Sequence, residues 1–138
     1  MNMHSYLRID GVAGGSTSSG YEGWIACDSV SWSLRHAGAG HGLAEIRFVK
    51  PEDAASPVLA RLCIGATLLA GARFDFLREA ADGASVKCYE IELENVTVAN
   101  VASGPRREAA MMETVLLTFA RARLTAVTLG GQPESGPD

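Results

Sequence analysis

Apolar and polar residues alternate one by one along most of the chain, which is the period of a half-buried β-strand. Tyr6-Leu7-Arg8-Ile9-Asp10 alternates and stops at Gly11, predicting a short strand closed by a turn. From Gly23 to Leu34 the pattern predicts another strand, with Val30, Trp32 and Leu34 turned to the core and Ser29, Ser31 and Ser33 on the opposite face. Further strands are predicted from Leu43 to Lys50 and from Ala72 to Glu79, where Phe74 and Phe76 oppose Arg73 and Asp75. Between Val86 and Val98, Tyr89, Ile91 and Leu93 share one parity, while Val96 and Val98 take the other. A slip of one residue predicts a β-bulge near Glu94-Asn95 and a strongly bent strand. A last long strand is predicted from Glu113 to Leu129.

Breaks in the alternation place the connections. Gly14 to Gly20 and Ala37 to Gly42 are small or polar and read as loops, Ala81-Asp82-Gly83 as a turn, and Ala99 to Ala110 as a further loop. Ser56-Pro57 supplies a side-chain cap and a proline in the first helical turn. Val58, Leu59, Leu62 and Cys63 then share one helical stripe that Gly65 can end, so one short α-helix is expected. Residues 1–129 form one expected domain, and the tail 130–138, without an apolar anchor, is expected to be flexible. The architecture implied is mainly β, a curved β-barrel with one short α-helix.

Composition adds that 47% of the 138 residues are hydrophobic before the 15 glycines are counted, a surplus that hints at burial between subunits. The formal charge of −4 argues against a nucleic-acid partner, which needs clustered Lys and Arg. No run of about 20 apolar residues suggests membrane insertion, and no cleavable signal stands before Tyr6, so synthesis in the cytoplasm is expected, with export through a machine that needs no such signal.

Catalytic signatures break down one at a time. Gly15 and Gly20 have P-loop spacing, but Tyr21-Glu22 stands where Lys and Ser or Thr are required. Gly38-Ala39-Gly40 opens like a dinucleotide fingerprint that Leu43 ends. Cys27, Cys63 and Cys88 lack the paired spacing of a zinc site and read as buried thiols, while His36 and His41 sit in a glycine-rich loop without partnering ligands. Glu90, Glu92 and Glu94 read as the solvated face of a strand, Arg106-Arg107 and Arg121/Arg123 as short basic pairs, and Trp24 and Trp32 as core. The expectation is therefore no enzyme, no catalytic residue, no cofactor and no metal.

Tyr6-Leu7-Arg8-Ile9-Asp10-Gly11-Val12, Gly15-Ser16-Thr17, Gly23-Trp24-Ile25 and Ser31-Trp32-Ser33 together resemble the amino-terminal signature of the Hcp (haemolysin-coregulated protein) family of type VI secretion systems. Ala55-Ser56-Pro57, Leu62-Cys63 and Gly65 resemble that family's single helix, and Glu113-Thr114-Val115 with Leu117 and Phe119 its final strand. The resemblance implies homohexameric rings that stack into a tube, are expelled by a contractile sheath with partners at the tube tip, and carry small effector proteins in the lumen. An effector-binding adaptor or chaperone ring that does not polymerise, and a phage tail-tube-like protein, are the alternatives it leaves. In such a ring Ser29, Ser31 and Ser33 would line the lumen and touch the passenger; otherwise they are solvated strand positions. Asp28-Ser29-Val30 and Leu116 depart from the family's more aromatic and more polar habits there.

Overall fold

The computed structural model describes residues 3–37, 41–105, 111–127 and 133–135, with backbone alone at 35–37, 41–43, 105 and 133–135. Strands β1 (Met3–Ile9), β2 (Ile25–Cys27), β3 (Ser29–Ala37) and β4 (His41–Pro51) precede helix α1 (Ser56–Ile64). Strands β5 (Leu68–Glu79), β6 (Ser85–Pro105), β7 (Met111–Val127) and β8 (Pro133–Ser135) follow it. Every pairing is antiparallel, in the order β2-β1-β5-β6-β7-β4-β3, with β8 added to β7.

Of the boundaries that differ from the sequence expectation, three bear on the architecture. The strand expected over 23–34 is two strands bent at Asp28, whose N–H donates to the carbonyl of Val49 at 2.7 Å. The loop expected from Ala99 is instead a continuation of β6 to Pro105, because a register shift at Ala99 turns Val101 inward opposite Val115; residues 106–110 of that expected loop lie outside the described ones. Within the expected tail, Pro133–Ser135 pairs with Thr125–Val127.

The bend at Asp28 is what curls the sheet. β2 pairs with β1 at one end of the strand order and β3 pairs with β4 at the other, yet a single residue joins them. One bent strand thus serves both ends, and the inner face wraps around a core of Leu7, Ile25, Ile46, Phe48, Phe74, Ile91, Val96, Leu117 and their neighbours. Closing a sheet on itself removes most of its exposed edge.

A crease crosses the sheet. On β5, core residues change parity between Leu69 and Ala72, on β6 between Leu93 and Val96, and on β7 between Phe119 and Ala122. Since all three strands slip together, the register is the same on both sides: Leu93 faces Ala122 and Val96 faces Phe119. The expected irregularity at Glu94-Asn95 therefore takes the form of a left-handed residue, Asn95 at φ 55°, without a register shift. Asparagine tolerates that conformation better than most residues. Gly71 is needed beside it, since a Cβ there would stand 3.0 Å from the carbonyl oxygen of Leu93. True register shifts occur near both ends of β6, opposite Phe76/Leu77 and at Val98/Asn100.

Helix α1 lays Leu59 into the core, with Val58, Leu62 and Cys63 partly covered. Ser56 was expected to cap it, but is its first residue. Ala55 stands at the N-cap without a side-chain bond, and the turn before it is held by Asp53, whose carboxylate accepts from the Ala55 N–H at 2.9 Å and whose own N–H donates to the Ser56 hydroxyl at 3.0 Å. The inner rows of β4 and β7 run Ile46–Leu117 and Phe48–Val115, and the next in register is Lys50–Glu113. The Lys50 side chain is completely buried; its ammonium donates to Asp53 at 2.8 Å, to the Pro51 carbonyl at 3.0 Å and to Ser56 at 3.1 Å, and forms an ion pair with Glu113 at 2.8 Å. The turn before α1 closes over this pair, as a buried charge requires.

Candidate functional site

The outward face of β3-β4-β7-β6 is read directly from the register. One row holds Ser33, Glu45, Thr118 and Thr97, extended by Leu68 of β5. The next holds Ser31, Arg47, Leu116 and Asn100, and the third Ser29, Val49, Thr114 and Ala102. Most of these side chains are short and carry a hydroxyl or nothing polar, and the charges are a single Arg47 and a single Glu45. The structure thus brings Ser29, Ser31 and Ser33 together on one exposed face, as the alternation implied, and adds hydroxyls from two further strands. A shallow niche between Ser31, Ser33, Glu45 and Arg47 interrupts the face.

The opposite face of β3 corrects the sequence reading. Val30 packs against the core, but Trp32 is 39% and Leu34 55% exposed. Trp32 stacks on Tyr89 with centroids 6.0 Å apart and leans on Phe76, so it covers the core's margin and is not part of its interior. Trp24, also expected in the core, sits outside it with the guanidinium groups of Arg8 and Arg73 over its ring at 5.6 and 6.0 Å.

Beyond the crease the outward face changes character. Arg8, Arg73, Glu92 and Arg123 follow one another across β1, β5, β6 and β7, and Tyr6, Asp75, Glu90 and Thr125 form the next row. Glu90 is not merely solvated, as the alternation suggested: Arg73 reaches it at 3.3 Å, and Lys87 also pairs with it. Asp75 is 2% exposed and accepts from Arg73 Nε at 2.9 Å and from the Tyr21 hydroxyl at 2.7 Å. Burial first, then that bond to Asp75, raises the Tyr21 pKa above its ordinary value. Tyr21 also stacks on Tyr6 at 4.6 Å, so the β1–β2 connection is strapped over this face. At the strap's other end, the Gly15 N–H donates to Asp53 at 3.1 Å.

Next to these rows lies a groove of about 870 Å³. Arg8, Arg73, Arg121 and Arg123 line it with Asp10, Glu92, Glu94, Leu34 and Phe119. β4 pairs with β7 only as far as Glu45–Thr118, and β8 pairs with β7 from Thr125 onward, so among the described residues the intervening edge of β7 opens into this groove.

The other candidates stay apart. Cys27, Cys63 and Cys88 are free and partly covered, and burial raises the Cys27 pKa, keeping it a thiol. The side chains of His36, His41 and Arg106-Arg107 lie outside the described residues. Among the described residues no three His, Cys, Asp or Glu side chains converge on a point where a metal could be held.

A curled antiparallel sheet around one core, with a single short helix packed against it, is the fold class that the described residues define. The family model for the type VI secretion system effector Hcp matches residues 6–125, and the chain belongs to the Hcp family, a family of non-enzymatic structural secretion proteins. Solved structures share its fold. Hcp1 from Salmonella typhimurium superposes with a TM-score of 0.83 at 23% identity, covering 98% of this chain and 93% of that one. A type VI secretion system effector from Yersinia pestis gives 0.81 at 19% identity, covering 96% of each chain. Secreted protein Hcp3 from Pseudomonas aeruginosa gives 0.78 at 18% identity, covering 98% of this chain and 97% of that one. No curated protein sequence matches significantly.

Proposed function

We propose that this chain is the tube subunit of a type VI secretion system, forming homohexameric rings whose lumen is lined by the outward face of β3-β4-β7-β6. The observation that carries this reading is the chemistry of that face: three register rows of Ser, Thr, Asn and small apolar side chains with one Arg47 and one Glu45. A wall of short hydroxyls leaves a bore open and offers donors and acceptors to a passenger without demanding one shape or a counter-charge. Family membership supports the secretion setting and, with it, sheath and tip proteins as partners and small effector proteins as cargo. Ser31 stands at the middle of the wall, with Ser29 and Ser33 beside it.

Size-exclusion chromatography with light scattering tests the ring, where six-chain particles are expected at micromolar concentration and a folded monomer would contradict the reading. Co-purification with a cognate effector tests the wall. Ser31→Gln is expected to keep the ring and retain several-fold less effector; full retention by an intact ring would remove Ser31 from the contact surface.

A further inference from the structure

Over most of its area the wall of short hydroxyls asks for no counter-charge, but at one place it does. Arg47 and Glu45 are the only charges in its three register rows. They stand two residues apart on the same face of β4, about 7 Å along the strand. Neither finds a partner across the strands. Arg47 lies between Ser31 and Leu116, Glu45 lies between Ser33 and Thr118, and neither makes an ion pair among the described residues. Beyond the crease the opposite holds, since Arg73 and Lys87 pair with Asp75 and Glu90. The two uncommitted charges also border the niche beside Ser31 and Ser33, which measures about 80 Å³. At about 30 Å³ for a water-sized group, that is room for the head of one side chain.

We propose that Arg47 and Glu45 are the selective point of this wall, taking a passenger protein that presents an acid–base pair of side chains at matching spacing, its carboxylate on Arg47 and its ammonium or guanidinium on Glu45. Charge complementarity selects the occupant. A phosphate or any other lone anion meets Glu45 as well as Arg47, and a lone cation meets the reverse. An apolar surface pressed on the wall here strips water from both charges without supplying a partner for either, which is costly. A surface with both signs satisfies both, so the pair admits some passengers and disfavours others. In the niche the planar guanidinium offers paired N–H donors that match a carboxylate, and the Ser31 and Ser33 hydroxyls are further donors beside it. The proposal rests on the reading of this face as the lumen and adds what on a passenger the lumen selects.

The test is a fluorescence-anisotropy titration of the full chain with dye-labelled peptides blocked at both ends, Ser-Glu-Ser-Lys-Ser, Ser-Glu-Ser-Glu-Ser and Ser-Lys-Ser-Lys-Ser, with light scattering recording the assembly state. The wild type is expected to bind the mixed peptide about threefold to tenfold more tightly than either single-sign peptide, as two exposed ion pairs allow. That preference should shrink between about 0.05 M and about 0.5 M salt, where the screening length falls several-fold. Arg47→Glu, which presents two carboxylates, is expected to move the preference to the lysine peptide, and Glu45→Arg to the glutamate peptide, with circular dichroism verifying each fold. Arg61→Glu, the same change of charge on the exposed side of α1, should rank the peptides as the wild type does. A wild type that binds all three peptides alike, or none of them, overturns the proposal, as does an Arg47→Glu chain that keeps the wild-type order. Rings that form without any ranking leave the lumen reading standing and overturn the selective pair. A chain that ranks the peptides as expected but is monomeric keeps the pair and overturns the ring.

Discussion

The two halves of the outer surface, separated by the crease at Gly71, Asn95 and Ala120, are built from the same strands with opposite chemistry. On one side β6 and β7 present Thr97, Asn100, Thr114 and Thr118, and on the other they present Glu90, Glu92, Arg121 and Arg123. Neither difference is needed by the core, which continues unbroken beneath both because the three strands change parity together. A sheet that only had to fold could carry either surface throughout. The contrast teaches that the crease is a boundary between two chemistries: a face kept short and nearly uncharged, and a charged face whose groups largely pair with one another.

The comparison breaks most severely at its anchor. Lys50→Met removes the ammonium that bridges Asp53 and Glu113 and would leave two carboxylates facing each other near the core. The expected loss is about 3–5 kcal/mol, typical of breaking a buried pair, seen as a large fall in the denaturation midpoint. A midpoint near the wild type's would mean that the helix turn, not the lysine, holds this end of the wall.

The boundary itself is tested by Gly71→Val. The added side chain begins 3.0 Å from the Leu93 carbonyl, and the expected cost is about 1–3 kcal/mol, as for overpacking elsewhere. Gly71→Ala should cost less, and Asn95→Gly, which keeps the left-handed conformation available, should cost only a few tenths of a kcal/mol. Equal losses in all three variants would show that the crease is not held by these contacts.

A smaller effect belongs to the charged half alone. Tyr21→Phe deletes the hydroxyl given to Asp75, with an expected cost of about 1 kcal/mol because Arg73 remains as a partner. Since the folded-state pKa of Tyr21 is raised, its contribution is complete below the ordinary tyrosine value of about 10 and is lost as pH rises above it. Wild type and Tyr21→Phe should therefore converge in stability in alkaline solution. A constant difference across that range would place the tyrosine's worth in its stacking on Tyr6.

Much of this was legible before any coordinates. Alternation located six strands, one of which the structure divides into β2 and β3, the Ser-Pro pair marked the helix, and the parity change between Leu93 and Val96 announced the crease, because a period of two leaves a visible fault when it slips. The serines were separable from the core face by parity alone, but Thr114, Thr118 and Asn100 joined them only through pairing between distant strands. Trp32 and Leu34 misled because parity gives the face of a strand and not its distance from the sheet's margin. Lys50 and Glu113 did leave a signal: each shares the parity of its strand's core residues, Lys50 with Ile46 and Phe48, Glu113 with Val115 and Leu117. An ionisable residue on a core parity predicts a buried partner of opposite sign. The groove had no such signal, since it exists only where β4 leaves β7.

The most direct measurement of the account's central claim is an electron-microscopy reconstruction of the assembled particle at side-chain resolution. The account predicts a closed ring with Ser31, Arg47 and Thr118 on its inner wall. A ring whose inner wall carries Arg8, Arg73 and Glu92, with the serine rows facing outward, would contradict it.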